Sequence, residues 1–150
     1  MLYRLYGPED FPQLYAIEQA CFQPPFRFTR RSMQQLVSSP DSATWIAEED
    51  RQMTGFAIVD WAAEVTPITA YIQTIEVAPA HRQRGIASAL LRRVEDSAST
   101  GGAIAIGLHV AESNTAAIRL YQARGYLPQG RKEDYYAPGL HALIFAKDLA

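Results

Sequence analysis

The chain has 150 residues, a formal net charge of −2 and a hydrophobic content of 48%. This length suits one domain with a sizeable core, so we expect residues 1–150 to form a single domain. The near-neutral net charge excludes the strongly positive overall charge that is typical of nucleic-acid binding. A single cysteine excludes an internal disulfide, and the three histidines lack the spacing of metal ligands.

No apolar stretch approaches the roughly 20 residues of a membrane helix. The N-terminal segment also lacks the apolar run of a secretory signal peptide. We therefore expect a cytoplasmic protein with no membrane partner, either a monomer or a homodimer.

The first half of the chain predicts a strand, two helices and two further strands. Alternation favours a strand at 2–6, and Pro8 followed by two acids is typical of a helix start. Helical spacing continues to Cys21, where the aromatic and proline-containing segment 23–28 interrupts it. Thr29 can cap a second helix through about residue 38. Strands follow at 44–48 and 53–64, joined by the charged turn 49–52.

The second half predicts strands at 69–77, 103–110, 127–135 and 140–149, with helices at 85–98 and 114–124. Gly125 is expected at the left-handed position that ends the second of these helices. Within 103–110, alternation places Ile104, Ile106, Leu108 and Val110 on one face and His109 on the other. This order of elements predicts a mixed α/β layer protein rather than an alternating, doubly wound one.

A phosphate-binding loop is indicated between strand 69–77 and helix 85–98. Residues 77–94 contain several arginines and no acid, and Gly85 and Ala87 leave room for an anion to approach the backbone. Free N–H groups and the positive dipole end at a helix start favour such an anion. The motif Arg-x-x-Gly-x-Ala lacks the Lys-Ser/Thr and Gly-x-Gly-x-x-Gly patterns, which counts against a nucleoside triphosphate or a dinucleotide.

Together with residues 108–126, this loop resembles the coenzyme-binding motifs of the GNAT superfamily of acetyl-coenzyme A-dependent acyltransferases. In that second block an Asn follows a strand, a Tyr lies on the next helix, and a Gly-Tyr pair follows the helix. The resemblance implies the GNAT fold, a central, mixed and mostly antiparallel sheet of about seven strands flanked by about four helices. It also implies direct attack of an amine on the thioester of acetyl-CoA, through a tetrahedral intermediate.

The same resemblance assigns residues to the coenzyme. Tyr121, two helical turns after Asn114, would protonate the leaving thiolate. Ile75 and Val77 would pair with the pantetheine arm, and the backbone at 83–88 would hold the pyrophosphate. The residues implied in coenzyme binding are Ile75, Val77, Arg82, Gln83, Arg84, Gly85, Ile86, Ala87, Ser88, Asn114, Ala117 and Tyr121.

Within the superfamily, the chain is most similar to protein N-terminal acetyltransferases of the bacterial ribosomal-protein alanine (RimI) type and the NatE catalytic-subunit type. Residues 25–28 resemble their Pro-aromatic substrate loop, and residues 132–136 resemble their tyrosine hairpin. This likeness implies a protein or peptide N-terminal α-amine as the acceptor. The implied substrate-binding residues are Pro25, Phe26, Phe28, Tyr135 and Tyr136.

The identity of the general base stays open at this point. Tyr71 and His109 match the Tyr and His that together act as the general base in the NatE type, through an ordered water. The RimI type has Glu in the place of His109. An α-amine titrates near 8 and His near 6.5, so a His base suits this acceptor. Glu76 and Glu112 are alternative candidates for the general base. Strand alternation leads us to expect Glu76 to face away from Ile75 and Val77. A helix N-terminus near Glu112 would stabilise its charge and weaken it as a base.

Other acceptors and another class of protein also stay open. A GNAT enzyme can acetylate a lysine side chain or a small amine such as a polyamine, and a related chain can be a non-catalytic coenzyme A-binding regulator. Arg27, Arg30 and Arg31 near the expected slot disfavour a polycation. The presence of Tyr121 and His109 argues against a regulator, because a protein that does not catalyse acetyl transfer does not require a general acid or a general base.

Overall fold

The computed structural model describes residues 1–149, which form a seven-stranded sheet and four α-helices. The strands are β1 (Leu2–Leu5), β2 (Ser42–Glu49), β3 (Gln52–Trp61), β4 (Thr69–Val77), β5 (Ala105–Ala111), β6 (Leu127–Ala137) and β7 (Leu140–Asp148). The helices are α1 (Phe11–Cys21), α2 (Arg30–Ser38), α3 (Ile86–Thr100) and α4 (Thr115–Ala123). The predicted mixed α/β class and the predicted order of elements are confirmed.

The sheet has the strand order β1-β2-β3-β4-β5-β7-β6. Neighbouring strands are antiparallel except β4 and β5, which run parallel and pair from Thr69 opposite Ala105 to Ile72 opposite Leu108. At this point the register of β4 on β3 shifts, so that Gln73 has no opposite residue. Such a bulge bends its strand. Beyond it β4 and β5 separate, and a gap opens in the middle of the sheet.

Helices cover both faces of the sheet. On one face α3 buries its apolar side, including Leu90, Leu91 and Val94, against β2, β3 and β4. On the other face α1 and α2 pack Leu14 and Met33 against β2 and β3. The alternation of β4 and β5 therefore decides which side chains face α3 and which face α1.

The structure corrects several predicted boundaries. Strand β3 ends at Trp61 rather than at residue 64, because its last pair is with Ala70 near the start of β4. Ile104 is not on the core face of β5, since it precedes the strand and is 57% exposed. The first turn of the first predicted helix is a 3-10 turn, Pro8–Asp10. Gly125 does adopt the predicted left-handed conformation after α4, with a φ of 89°.

Among residues 1–149, the structure shows no helix that is both long enough and apolar enough to span a bilayer.

Candidate active site

Two cavities meet in the gap between β4 and β5. The first, called here the loop cavity, has a volume of about 570 Å³ and lies between the end of β4, the turn before α3 and the start of α4. The second, called the aromatic cavity, has a volume of about 510 Å³ and lies between residues 22–28, β5 and the end of β6. Five residues line both cavities, namely Phe22, Ile75, Asn114, Ala117 and Tyr121.

Backbone conformation shapes the loop cavity. Gln83 and Gly85 have φ values of 63° and 80°, in the left-handed region. Turns of this kind aim successive N–H groups into a concave surface that binds anions. A Cβ on Gly85 would meet nothing within 4 Å, so the conformation and not the space favours glycine there. Helix α3 begins directly after this turn and adds the free N–H groups of its first residues.

The structure brings all but one of the predicted coenzyme residues to the wall of the loop cavity. The lining includes Ile75, Val77, Arg82, Gln83, Gly85, Ile86, Ala87, Ser88, Asn114, Ala117 and Tyr121. The exception is Arg84. Its guanidinium forms an ion pair with Glu49 at 2.6 Å and contacts the Nδ1 atom of His81 at 3.0 Å. The sequence could not show this, because Glu49 lies 35 residues away on β2.

Helix α4 positions two residues at the border of the cavities. Asn114 caps the helix, with its side-chain oxygen accepting a hydrogen bond from the backbone N–H of Ala117 at 3.2 Å. Tyr121 is 6% exposed and packs edge-on against Tyr126, with ring centroids 5.5 Å apart. Burial raises the pKa of Tyr121, so its hydroxyl keeps its proton at neutral pH.

Aromatic side chains from three distant segments build the other cavity. Phe26 packs against Tyr136 with centroids 4.9 Å apart, and Tyr136 packs edge-on against Tyr135 at 5.0 Å. Tyr135 in turn stacks on His109 of β5 at 4.7 Å. All the predicted substrate residues, Pro25, Phe26, Phe28, Tyr135 and Tyr136, line this cavity. None of the described residues that line it carries a carboxylate.

Tyr71 and His109 form a hydrogen-bonded pair in the wall of the aromatic cavity. The Oη atom of Tyr71 lies 2.8 Å from Nδ1 of His109. Burial, helped by the charge of Lys132, lowers the pKa of His109. Burial, together with the neighbouring Tyr135, raises the pKa of Tyr71. Both groups are therefore neutral at neutral pH, and the hydroxyl of Tyr71 can donate to a neutral imidazole.

The two rival bases lie in different surroundings. Glu76 is only 3% exposed and lies next to Glu18 of α1, but it also lines the loop cavity beside Ile75 and Val77, so the expectation that it faces away from them is corrected. Glu112 is exposed, forms an ion pair with Arg131 at 3.2 Å and lies outside the lining of both cavities. Neither acid faces the Tyr71–His109 pair.

Sequence reasoning missed several residues of the site. Phe22 lines both cavities, and Gln73 and Thr74 line the aromatic cavity at the bulge of β4. Phe22 belongs to no recognisable motif. The bulge of β4 depends on its register with β3, which a single sequence does not show. Arg27 also lines the aromatic cavity, but its guanidinium donates to the backbone carbonyl oxygens of Phe22 and Gln19 and so fixes the loop.

Comparison with known proteins identifies the family. Residues 11–126 match the sequence model of the acetyltransferase (GNAT) family. The chain belongs to the GNAT acetyltransferase family. The predicted family and the acetyltransferase class are thereby confirmed, and acetyl-CoA is the acyl donor of this family.

Curated relatives differ in their acceptors. Streptothricin acetyltransferase from Streptomyces lavendulae is 37% identical over 111 residues, which is 71% of this chain and 58% of that protein. The chain thus spans little more than half of that relative. N-alpha-acetyltransferase RimI from Mycobacterium tuberculosis is 31% identical over 126 residues, which is 83% of this chain and 75% of that protein.

Solved structures share the fold. The ribosomal-protein alanine N-acetyltransferase from Escherichia coli superposes with a TM-score of 0.86 at 24% identity, covering 99% of this chain and 94% of that one. NAA60 from Arabidopsis thaliana, in complex with a bisubstrate analogue, has a TM-score of 0.84 at 24% identity, covering 98% and 97%. These likenesses confirm the GNAT fold.

Proposed function

We propose that this protein transfers the acetyl group of acetyl-CoA to the N-terminal α-amine of a protein or peptide. One observation carries the proposal. An aromatic cavity with a neutral Tyr71–His109 pair, and with no carboxylate in its described lining, meets the loop cavity at Tyr121. Such a junction suits the transfer of an acyl group between a coenzyme on one side and a neutral amine on the other.

The loop cavity fits coenzyme A. The left-handed turn at Gln83 and Gly85 and the first N–H groups of α3 would hold the pyrophosphate. Ile75 and Val77 lie beyond the pairing of β4 with β5 and would bind the pantetheine arm by strand-like hydrogen bonds. Bound acetyl-CoA supplies an activated acetyl thioester. Arg84 acts at most indirectly, because Glu49 holds its guanidinium away from the cavity.

The Tyr71–His109 pair would take the proton of the amine. His109 Nε2 is buried and has no hydrogen-bond partner among the described residues, so Nδ1 is the atom that is linked to the cavity through a hydroxyl. Tyr71 would pass a proton from the amine, directly or through a water, to Nδ1 of His109. An α-amine titrates near 8, so a weak base of this kind is sufficient.

Tyr121 would act as the general acid. It lines both cavities, and its raised pKa keeps a proton on the hydroxyl at neutral pH. A thiol titrates near 8.5, so a thiolate leaving group benefits from a positioned proton donor. This arrangement places the acid on α4 and the base on β4 and β5.

The electrostatics of the aromatic cavity favour an α-amine over a polycation. A lysine titrates near 10.4 and arrives charged, as does a polyamine, and such groups are usually met by acids. Here the walls present ring faces and hydroxyl groups, with Arg27 at the loop. The 31% identity to a protein named as an N-alpha-acetyltransferase supports the same acceptor.

The second candidate is a small amine. The 37% identity to streptothricin acetyltransferase favours it, since that name specifies a small-molecule acceptor. The cavity of about 510 Å³ is large enough for a compact amine as well as for the first residues of a peptide. The described lining of the aromatic cavity contains no carboxylate, which argues against a small amine that carries several positive charges.

The experiment that tests the proposal measures coenzyme A release with three acceptor pools. One pool contains lysine-free peptides with free N-termini, the second contains N-terminally blocked peptides with internal lysines, and the third contains small amines including streptothricin. We expect turnover with the first pool only. Turnover confined to the second or third pool would contradict the proposed acceptor and leave the family and the coenzyme unchanged.

A further inference from the structure

Two buried carboxyl groups lie next to each other between α1 and β4. Glu18 is 0% exposed and Glu76 is 3% exposed. The carboxyl of Glu18 lies within hydrogen-bonding reach of the carboxyl of Glu76. The proposed transfer of the acetyl group uses neither residue, so their burial calls for a separate explanation.

Each carboxyl group is tied to a different part of the site. Oε2 of Glu18 accepts a hydrogen bond from the backbone N–H of Phe28 at 2.9 Å, and Phe28 lines the aromatic cavity. Oε2 of Glu76 accepts one from the hydroxyl of Thr74 at 2.7 Å, and Glu76 itself lines the loop cavity. The two Oε1 atoms are buried and find no partner of the usual donor kind among the described residues.

The surroundings leave one stable arrangement of charge. The other titratable or charged groups that face the pair are Cys21 of α1 and Arg82, which donates to the sulfur of Cys21 at 3.4 Å. Neither forms a hydrogen bond to the two carboxyl groups. Two adjacent buried carboxylates repel each other strongly, whereas a carboxyl that donates to a carboxylate satisfies both Oε1 atoms.

We propose that Glu18 and Glu76 share one proton, and that the resulting O–H···O bond positions residues 22–28 against β4 for acceptor binding. The part that concerns the acceptor rests on the function proposed above. Both glutamates are positioning residues, because they act through Phe28 and the loop that carries Pro25 and Phe26. The shared proton thereby joins the wall of one cavity to the wall of the other.

Loss of the shared proton would loosen the loop. Burial, followed by the contact with Glu18, raises the pKa of Glu76 well above its usual range. A carboxyl with a raised folded-state pKa adds stability that is complete below its unfolded value, about 4.3, and is lost as the pH rises through the folded value. Above that value two carboxylates repel, and α1 with its following loop moves away from β4.

The Glu76→Gln variant removes the titration and keeps a donor to Glu18 at every pH. Glu64→Gln, an exposed acid in the turn after β3, is the control for loss of one negative charge. The first measurement needs no acceptor. Thermal unfolding is followed between about pH 5 and about pH 9, together with hydrogen exchange of the Phe28 amide, and variants are compared at the same pH.

We expect the wild type and Glu64→Gln to lose stability and Phe28 protection with rising pH, and Glu76→Gln to lose neither. With a peptide acceptor, the KM ratio of wild type to Glu76→Gln should rise about fivefold between about pH 5 and about pH 9, as the shared proton is lost, with kcat unchanged. Parallel loss of stability in all three proteins would overturn the shared proton. Equal Phe28 exchange in wild type and Glu76→Gln would overturn the link to the loop. Absence of turnover with peptides would refute the proposed acceptor and leave the first two results standing.

Discussion

The two cavities of the site are built in different ways. Backbone makes the loop cavity, through the left-handed residues Gln83 and Gly85, the start of α3 and the end of β4, which no longer pairs with β5. Side chains make the aromatic cavity, through Phe26, Tyr135 and their ring contacts. A backbone cradle recognises a constant part of a substrate, such as a pyrophosphate, and tolerates many sequences. A cavity of side chains can be altered residue by residue, so it determines which acceptor is chosen.

The largest expected effect lies at the border between the two cavities. Tyr121→Phe removes the proposed proton donor and keeps the ring, so kcat should fall about 100-fold while acetyl-CoA affinity changes little. Steady-state kinetics and calorimetric titration check both quantities. Tyr126→Phe is the matched control, because its hydroxyl donates to Glu95 and lies outside both cavities. Equal activity of Tyr121→Phe and wild type would contradict the assigned acid.

The Tyr71–His109 pair gives the next effect, on the acceptor side. Tyr71→Phe and His109→Gln should each lower kcat about 30-fold, and the double variant should be no slower than either one, because the two groups act as a unit. Effects that multiply in the double variant would refute the relay. Steady-state kinetics of the three variants decide between these outcomes.

The pH profile of kcat tests the same pair independently. The lowered pKa of His109 keeps it neutral below the ordinary histidine value of about 6.5, so kcat should fall only on the acid side of that value, as the imidazole gains a proton. His109→Gln should lose this acid limb. A limb that persists in the variant would show that another group takes the proton.

Phe26→Ala tests whether the acceptor and the coenzyme bind in separate cavities. It removes the ring that packs on Tyr136, so the KM of a peptide acceptor should rise about tenfold while the KM of acetyl-CoA stays constant. Tyr3→Ala, which removes a ring from edge strand β1, is the control and should change neither KM. A parallel rise in both KM values would mean that the two cavities are not independent.

Gly85→Ala tests the backbone cradle. The added Cβ has space, but the φ of 80° disfavours it by about 1 kcal/mol, so the turn should relax and the KM of acetyl-CoA should rise about fivefold. Gly125→Ala carries a similar strain at a φ of 89° and lies outside both cavities. We expect a comparable loss of stability in both variants and a change of KM only in the first.

Arg84→Gln should have the smallest effect. Its guanidinium pairs with Glu49 outside the loop cavity, so the affinity for acetyl-CoA should change less than about twofold. Calorimetric titration measures this directly. A tenfold loss of affinity would show that the side chain leaves Glu49 when the coenzyme binds.

The difference between the cavities also explains how much the sequence could predict. The loop motif at 82–87, the helical spacing from Asn114 to Tyr121 and the alternation around His109 are local patterns, so the fold and most of the residues that line the loop cavity were predicted from the sequence. The ion pair of Arg84 with Glu49, the bulge at Gln73 and the contact of Glu18 with Glu76 join distant segments. Such contacts depend on register and packing, which one sequence does not specify.

The aromatic side was predicted only through family resemblance. Phe26, Tyr135 and Tyr136 were assigned to one slot, and the structure does bring them together. Phe22 was missed, because a phenylalanine after a helix is compatible with many roles. Arg27 was expected near the slot, but its hydrogen bonds to the loop backbone were not predicted. Their positions follow from the path of residues 22–28, which Glu18 and Arg27 fix by hydrogen bonds to its backbone.

The measurement that tests the central claim most directly is the position of the acetyl group on a single peptide. The peptide carries a free N-terminus and several lysines, and fragmentation mass spectrometry locates the product after limited turnover with acetyl-CoA. An acetyl group on the α-amine alone is the result predicted here. An acetyl group on lysine side chains, with a free N-terminus, would contradict the account of the aromatic cavity.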